Sequence, residues 1–192
     1  MINKEIRKTL VEMIPVLTFC MCFGTTAGIL LNYSGDILEK ELMVGILIIT
    51  PSIMALGGYI SSIFSMRLTT ALYSGIIEPK IKRSTFIENN FIALFILSVI
   101  ISVIIGVLSY LIVIWLGSPT NLSIFGFLFL SVVGGLIDFV VCLLATIPIA
   151  FISFYKGLDP DNLTTPILNS LSDMFSVISI FIALQLYISI FP

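Results

Sequence analysis

Apolar residues fill five long segments of the chain, and short polar connections separate them. The segments cover about residues 9–31, 42–77, 86–116, 122–155 and 163–191. Their apolar residues are continuous rather than alternating, and only helices or closed barrels satisfy their own backbone hydrogen bonds in hydrocarbon. Each segment has at least the roughly 20 residues that a helix needs to cross a bilayer. The pattern therefore predicts an all-α integral membrane protein, with five transmembrane helices in a single domain over residues 1–192.

Composition supports a bilayer as the main solvent. The chain is 58% hydrophobic and 10% charged, with a mean hydropathy of +1.19, whereas a soluble domain is about one quarter charged. We therefore expect a multi-pass protein of the cell membrane whose main partner is the lipid bilayer. The nine basic and eleven acidic residues form no basic patch dense enough for nucleic acid, which we do not expect as a partner. Because the chain has no histidine, histidine-based acid-base chemistry is excluded.

The distribution of basic residues predicts the orientation of the spans. Lysine and arginine are retained on the cytoplasmic side of a membrane. They cluster before the first span, between the second and third, and after the fourth, at Lys4, Arg7, Lys8, Lys80, Lys82, Arg83 and Lys156. The opposite side carries Lys40 beside acidic residues. We therefore predict a cytoplasmic N-terminus and, after five spans, a C-terminus outside.

The second span is longer than a bilayer requires. Its 36 residues would extend about 50 Å as a helix, against a hydrocarbon core of roughly 30 Å. It contains Pro51 and the pair Gly57 and Gly58, and proline removes a helical donor while glycine frees the backbone. The sequence leaves two interpretations open: a continuous, kinked helix, or an interrupted helix that lines a cavity.

Asp173 is the strongest candidate for a functional residue. It follows Asn162 by eleven residues, about 17 Å along a helix and close to the membrane midplane. A carboxylate there needs water, a cation or a partner. The alternative is a neutral acid, or an ion pair with Arg67.

Polar residues recur at helical spacing on two spans. Asn162, Thr165, Asn169, Asp173 and Ser176 form one predicted stripe, and Gly58, Ser62, Ser65 and Thr69 form another. Such stripes either line a polar pathway or join helices without any pore.

Asp138 lies about 24 Å into the fourth span by the helical rise. It follows Gly134 and Gly135, in the inner half of the membrane. The sequence leaves three roles open for it: a proton-linked site, a second ion site, or a partner for Arg67.

Two segments carry a resemblance to a known family. They are PSIMALGGYISSIFSMRLTTALYSG in the second span and GLDPDNLTTPILNSLSDMFSV leading into the fifth. They resemble the MgtE-type magnesium channels and their eukaryotic relatives, solute-carrier family 41. The resemblance implies a homodimer in which the second and fifth helices line a shared pore. It also implies that Asp173 is the pore aspartate, Asp159 the aspartate of the cytoplasmic mouth, and Thr165 and Asn169 the backbone-carbonyl lining.

The chain departs from that family pattern in two respects. Tyr59 stands where the family usually has asparagine after the glycine pair, so selectivity or gating is expected to differ. Eight residues precede the first predicted span, which begins at about residue 9, so we expect no cytoplasmic sensor domains of the kind that bacterial channels of this type carry.

These observations predict passive passage of Mg²⁺ through an oxygen-lined pore at the axis of a homodimer. Magnesium, the transported ion, is usually held through retained waters by one or two carboxylates. The predicted metal-lining residues are Asp173, Asn169, Thr165, Asp159, Asp138, Gly58 and Ser62. Manganese, cobalt and sodium-coupled exchange remain open.

We expect a channel and not an enzyme. Two other classes of function are alternatives to the channel. One is a membrane assembly subunit without transport activity. The other is an intramembrane aspartyl protease with Asp138 and Asp173 as its dyad. Those proteases resemble one another through Y-D and G-x-G-D motifs, whereas these aspartates stand in GLID and LSD.

Overall fold

A computed structural model describes residues 4–35, 40–78, 84–118, 120–157 and 160–191. These residues form five helices and no strand. The helices are α1 (Lys4–Gly35), α2 (Lys40–Tyr73), α3 (Thr85–Leu116), α4 (Ile124–Tyr155) and α5 (Pro160–Ile190). All five are long and apolar enough to cross a membrane. The predicted all-α protein with five membrane-spanning helices is therefore confirmed.

Helix α2 is continuous through Pro51 and the two glycines, so the continuous-helix interpretation holds. It ends at Tyr73, four residues before the predicted boundary at residue 77. The chain turns at Gly75, whose φ of 71° is left-handed, a conformation that favours glycine. The N–H groups of Ile76 and Ile77 donate to the Ala71 carbonyl at 2.9 and 3.2 Å, and Ile77 is buried. The last apolar residues of the segment therefore form a turn that folds back onto α2.

Helices α2, α4 and α5 pack against one another and enclose the core. Fully buried side chains such as Phe64, Phe139 and Ile180 come from all three helices. Helix α3 packs on α2 and α4, and α1 packs on α5. The spans of α1 and α3 are mostly exposed outside this core, which suits helices that present apolar side chains to lipid. Helix α5 thus lies between α1 on one side and the α2–α4 pair on the other.

Candidate cation pathway

The predicted residues of α2 and α5 meet where the two helices cross closely. A Cβ on Gly58 would lie 2.9 Å from Asn169 Oδ1 and 3.6 Å from the Asn169 Cα. The Ser62 hydroxyl, one turn further along α2, donates to Asn169 Oδ1 at 3.0 Å. The structure therefore brings Gly58, Ser62 and Asn169 into one contact, and a side chain at position 58 would disturb it.

Thr165, Asn169 and Asp173 follow one another along α5 at intervals of four residues. This spacing places them on neighbouring turns of one helix face. Each is half-buried, so each keeps part of its surface outside the single chain. In hydrocarbon such polar surface is costly, and it requires water, a cation or another protein chain. The face is thus incompletely covered in one copy of the protein.

The rest of the α2 stripe lies inside the chain. Ser65 and Thr69 are buried, and the Thr69 hydroxyl donates to the Ser65 carbonyl of its own helix at 2.8 Å. The Ser65 hydroxyl has no hydrogen-bond partner within the described residues. In this half of α2 the stripe is therefore buried within the chain and makes no side-chain hydrogen bond to α5 among the described residues.

The α5 stripe also departs from the predicted pattern at one position. Ser176 is fully buried, and its Oγ lies 3.5 Å from that of Ser172. Helix α4 comes close at this level, because a Cβ on Gly134 would be 3.5 Å from the Ile180 Cα. Ser176 therefore faces the interior of the chain.

Asp138 lies in a second, enclosed polar cluster that joins three helices. Its side chain is 1% exposed. The Cys142 thiol donates to Oδ1 at 3.4 Å, and Ser172 Oγ lies 3.4 Å from Oδ2. Ser172 Oγ is also 3.2 Å from the Met54 carbonyl of α2. A hydroxyl has one proton, so Ser172 donates to one of these two acceptors at a time.

Gly57 makes room for this cluster. A Cβ at position 57 would occupy the space of Asp138 Oδ2 and of Ser172 Oγ. The adjacent glycines of α2 therefore have different neighbours: Gly57 contacts the Asp138 cluster, and Gly58 contacts Asn169. The pair allows α2 to approach α4 and α5 at the same level.

Arg67 contacts neither aspartate among the described residues. Its guanidinium donates from Nη1 to Asn90 Oδ1 of α3 at 2.9 Å. The ion pairs that the sequence left open, with Asp173 or with Asp138, are thus not formed in the described part of the chain. Arg67 belongs to a different region, near the end of α2.

Two predicted residues cannot be placed: one from the metal-lining set and one from the α5 stripe. Asp159 lies outside the described residues, and the side chain of Asn162 is likewise not described. The remaining predicted residues fall into two groups. Gly58 and Ser62 of α2 contact Asn169, which shares a face of α5 with Thr165 and Asp173. Asp138 lies apart from them, in the enclosed cluster with Ser172.

Comparison with known protein families decides the class of protein. The family model described as MgtE, divalent cation transporter, matches residues 50–183, which is 134 of the 192 residues. The chain belongs to the MgtE divalent cation transporter family. No curated protein and no solved structure matches it.

Membership of the MgtE family bears on the candidate residues directly. The matched region begins one residue before Pro51 of α2 and includes α3, α4 and most of α5. It therefore contains the parts of α2 and α5 that meet at Gly58, Ser62 and Asn169, together with the positions of Asp138 and Asp173. The family transports divalent cations. Hard divalent cations such as Mg²⁺ and Ca²⁺ take oxygen ligands, and the half-buried face of α5 carries side-chain oxygens.

Sequence reasoning missed the partners of Asp138 and of Arg67. Cys142 could have been found, because it lies four residues after Asp138, on the same helix face. Ser172 and Gly57 belong to other helices, and their positions in the sequence do not indicate that they contact Asp138. Asn90 is one of several polar residues in the first turns of α3, beside Glu88 and Asn89, so its position alone is a weak signal.

Proposed function

We propose that two copies of this chain pair about a two-fold axis in the cell membrane and conduct Mg²⁺ passively between their α2 and α5 helices. The observation that carries the proposal is the half-buried line Thr165, Asn169 and Asp173. Its middle residue, Asn169, contacts Gly58 and Ser62 of α2. The distribution of lysine and arginine supports a cytoplasmic N-terminus in this proposal.

The proposed dimer follows from the polar face of α5, which a single chain covers only in part. A single chain brings one mid-helix carboxyl group, Asp173, to a face that remains partly uncovered. A second copy related by two-fold symmetry, the commonest closed arrangement, would cover that face and add a second carboxyl group. Two carboxylates across an axis repel one another unless a cation lies between them. A divalent cation would neutralise both, so we expect its binding and pairing of the chains to be linked.

Magnesium suits the donors on this face. Mg²⁺ dehydrates reluctantly and is usually held through retained waters by one or two carboxylates, whereas Ca²⁺ takes six to eight oxygen ligands. The face offers a carboxyl group, an amide oxygen and a hydroxyl at spacings of one helical turn. This set suits a hydrated ion better than a closed cage. The resemblance implies that Asp159 is the aspartate of the cytoplasmic mouth, where its carboxylate would attract the cation.

Asp138 acts in this proposal from inside each chain. Ser172, which it contacts, immediately precedes Asp173, and Ser172 is also close to the Met54 carbonyl of α2. Fixing Ser172 fixes the rotation of α5 about its axis, and with it the direction of Asp173. The second ion site that the sequence also allowed for Asp138 is the alternative outcome of the test described in the Discussion.

Proteoliposomes loaded with a magnesium-sensitive dye test the function. An inward Mg²⁺ gradient should raise the internal signal in vesicles that contain the protein, without any proton or sodium gradient. Protein-free vesicles are the control. A subunit with only an assembly role, or a protease, would give no protein-dependent flux. Flux that requires an imposed sodium or proton gradient would replace the passive pore with a coupled carrier.

A further inference from the structure

An open cavity of about 400 Å³ lies between the end of α2 and the beginning of α3. The turn at Gly75 forms one wall, because it carries Ile76 outward from the end of α2. The beginning of α3 forms another wall, where the N-cap Ser84 accepts a hydrogen bond from the Ile87 N–H at 3.3 Å. The cavity is lined by one cationic side chain, two polar ones and several apolar ones, among them Arg67, Asn90, Thr70, Met66, Ile76 and Phe86.

Arg67 is held in place at this cavity by an uncharged partner, Asn90. Its Nη1 donates to Asn90 Oδ1 at 2.9 Å, and Asn90 Nδ2 donates to the Phe86 carbonyl at 2.9 Å. The two bonds fix the amide so that its oxygen faces the guanidinium. A guanidinium has five N–H donors, and this contact uses one of them. Among the described residues that line the cavity, none is acidic.

The cavity lies at the depth of a membrane interface. Arg67 is six residues before Tyr73, the last residue of α2, which is about 9 Å along the helix axis. An arginine at this depth can extend its head group toward the lipid phosphates. The connection that follows, of which residues 79–83 lie outside the described residues, carries Lys80, Lys82 and Arg83 against one acidic residue, Glu78. The region is therefore cationic as well as amphipathic.

We propose that this cavity binds the headgroup of an anionic glycerophospholipid. The guanidinium fork of Arg67 would take the phosphodiester, since arginine matches two phosphate oxygens at once. The exposed side chains of Met66 and Ile76 would contact the first carbons of the acyl chains. The negative lipid supplies the charge that the lining lacks. This inference stands apart from the transport proposal, because lipid binding is measured without flux.

Native mass spectrometry of the purified full chain, with added phosphatidylglycerol or phosphatidylcholine, tests the site. The wild type should retain phosphatidylglycerol in preference to phosphatidylcholine. Arg67→Gln should weaken phosphatidylglycerol retention about tenfold, the scale of a lost charge-assisted hydrogen bond. Lys156→Gln removes an exposed positive charge at the end of α4, outside the cavity, and should leave retention unchanged. Equal loss in both variants would show diffuse charge attraction and overturn the site.

A second pair of variants keeps the test decisive if Arg67→Gln fails to fold. Ile76→Trp should fill the cavity and lower phosphatidylglycerol retention with Arg67 intact. Tyr73→Trp adds bulk at an exposed position that does not line the cavity, and should change nothing. Millimolar inorganic phosphate separates the two sources of a phosphate group. Displacement of phosphatidylglycerol by inorganic phosphate would show that the cavity binds a soluble anion. Equal retention of phosphatidylglycerol and phosphatidylcholine would show that the cavity does not recognise the charge of the headgroup. Either result contradicts the proposal.

Discussion

Asp138 and Asp173 are the same kind of residue on two neighbouring membrane helices, yet the fold treats them differently. Asp138 is 1% exposed and has partners on its own helix and on α5. Asp173 is half-buried, on a face of α5 that the chain leaves partly open. Sequence alone singles out both as costly charges within a membrane span. Their surroundings differ: Asp138 is enclosed within a single chain, and Asp173 lies on a face that a single chain leaves partly exposed.

The difference rests on two adjacent residues of α5. Ser172 contacts α4 and α2, and Asp173, about 100° further around the helix, lies on the half-buried face that also carries Thr165 and Asn169. Helix α5 therefore contributes Ser172 to the enclosed Asp138 cluster and Asp173 to the partly exposed polar face. If this division holds, charge at Asp173 determines magnesium flux, and the fit of the side chains around Asp138 determines stability.

The largest effect is expected from Asp173→Asn, which keeps the shape of the side chain and removes its charge. Magnesium flux in proteoliposomes should fall by at least about tenfold, because the attraction between a carboxylate and a divalent ion is worth more than the 1.4 kcal/mol that a factor of ten represents. Glu78→Gln, at an exposed position outside the helices, removes the same charge and should leave flux unchanged. Wild-type flux through folded Asp173→Asn would end the pore assignment.

Gly57→Ala should destabilise the fold, because its Cβ would occupy the space of the Asp138 carboxyl group. Overpacking of this kind typically costs about 1 to 3 kcal/mol, so thermal unfolding in detergent should begin at a clearly lower temperature. Gly24→Ala is the matched control: no atom lies within 4 Å of its Cβ, and alanine favours a helix by up to about 1 kcal/mol. Equal behaviour of the two variants would mean that α2 and α4 are not as close as described.

Asp138→Asn should change magnesium flux by no more than about threefold, well under the 1.4 kcal/mol of a tenfold change. Asparagine fills the same space beside Gly57, and its amide can donate where Ser172 and Cys142 offer acceptors. The measurement is the flux assay used for Asp173→Asn. A loss as large as that of Asp173→Asn, in a folded protein, would instead assign Asp138 to a second ion position.

Ser62→Ala should give the smallest effect. It removes one hydrogen bond between α2 and Asn169, and such bonds between membrane helices average about 0.6 kcal/mol. A small drop in thermal stability is expected. Thr25→Ala, which removes an exposed hydroxyl bonded to its own helix, should show no drop. If Ser62→Ala were as damaging as Gly57→Ala, the Asn169 contact would carry more of the fold than its geometry indicates.

Much of the fold could be predicted from the sequence, because hydrocarbon leaves few choices. Continuous apolar segments of 20 residues or more must be helices there, and the five observed helices match the five predicted segments. The end of α2 was missed because Ile76 and Ile77 look like a continuation of the span. Gly75 ends the helix through its backbone conformation, which hydropathy does not record.

The sequence predicted which candidate residues share a helix face, and it did not predict which residues of other helices they contact. Helical spacing placed Thr165, Asn169 and Asp173 on one face, as observed. It also placed Ser176 there, although α4 covers that turn and buries it. Spacing within a helix cannot tell which neighbour covers which turn. For the same reason, Ser172 was not recognised as the contact of Asp138.

Crosslinking at position 173 tests the central claim, that the open faces of two chains meet, most directly. Cys20, Cys22 and Cys142 are first replaced by serine, and the cysteine-free protein is checked for flux. Asp173→Cys in that background should give a covalent dimer with a thiol reagent that spans about 10 Å, roughly the width of a hydrated magnesium ion between two ligands. Leu108→Cys, exposed on α3, should give none. A cysteine-free protein that conducts magnesium while Asp173→Cys remains monomeric would contradict the dimeric pore.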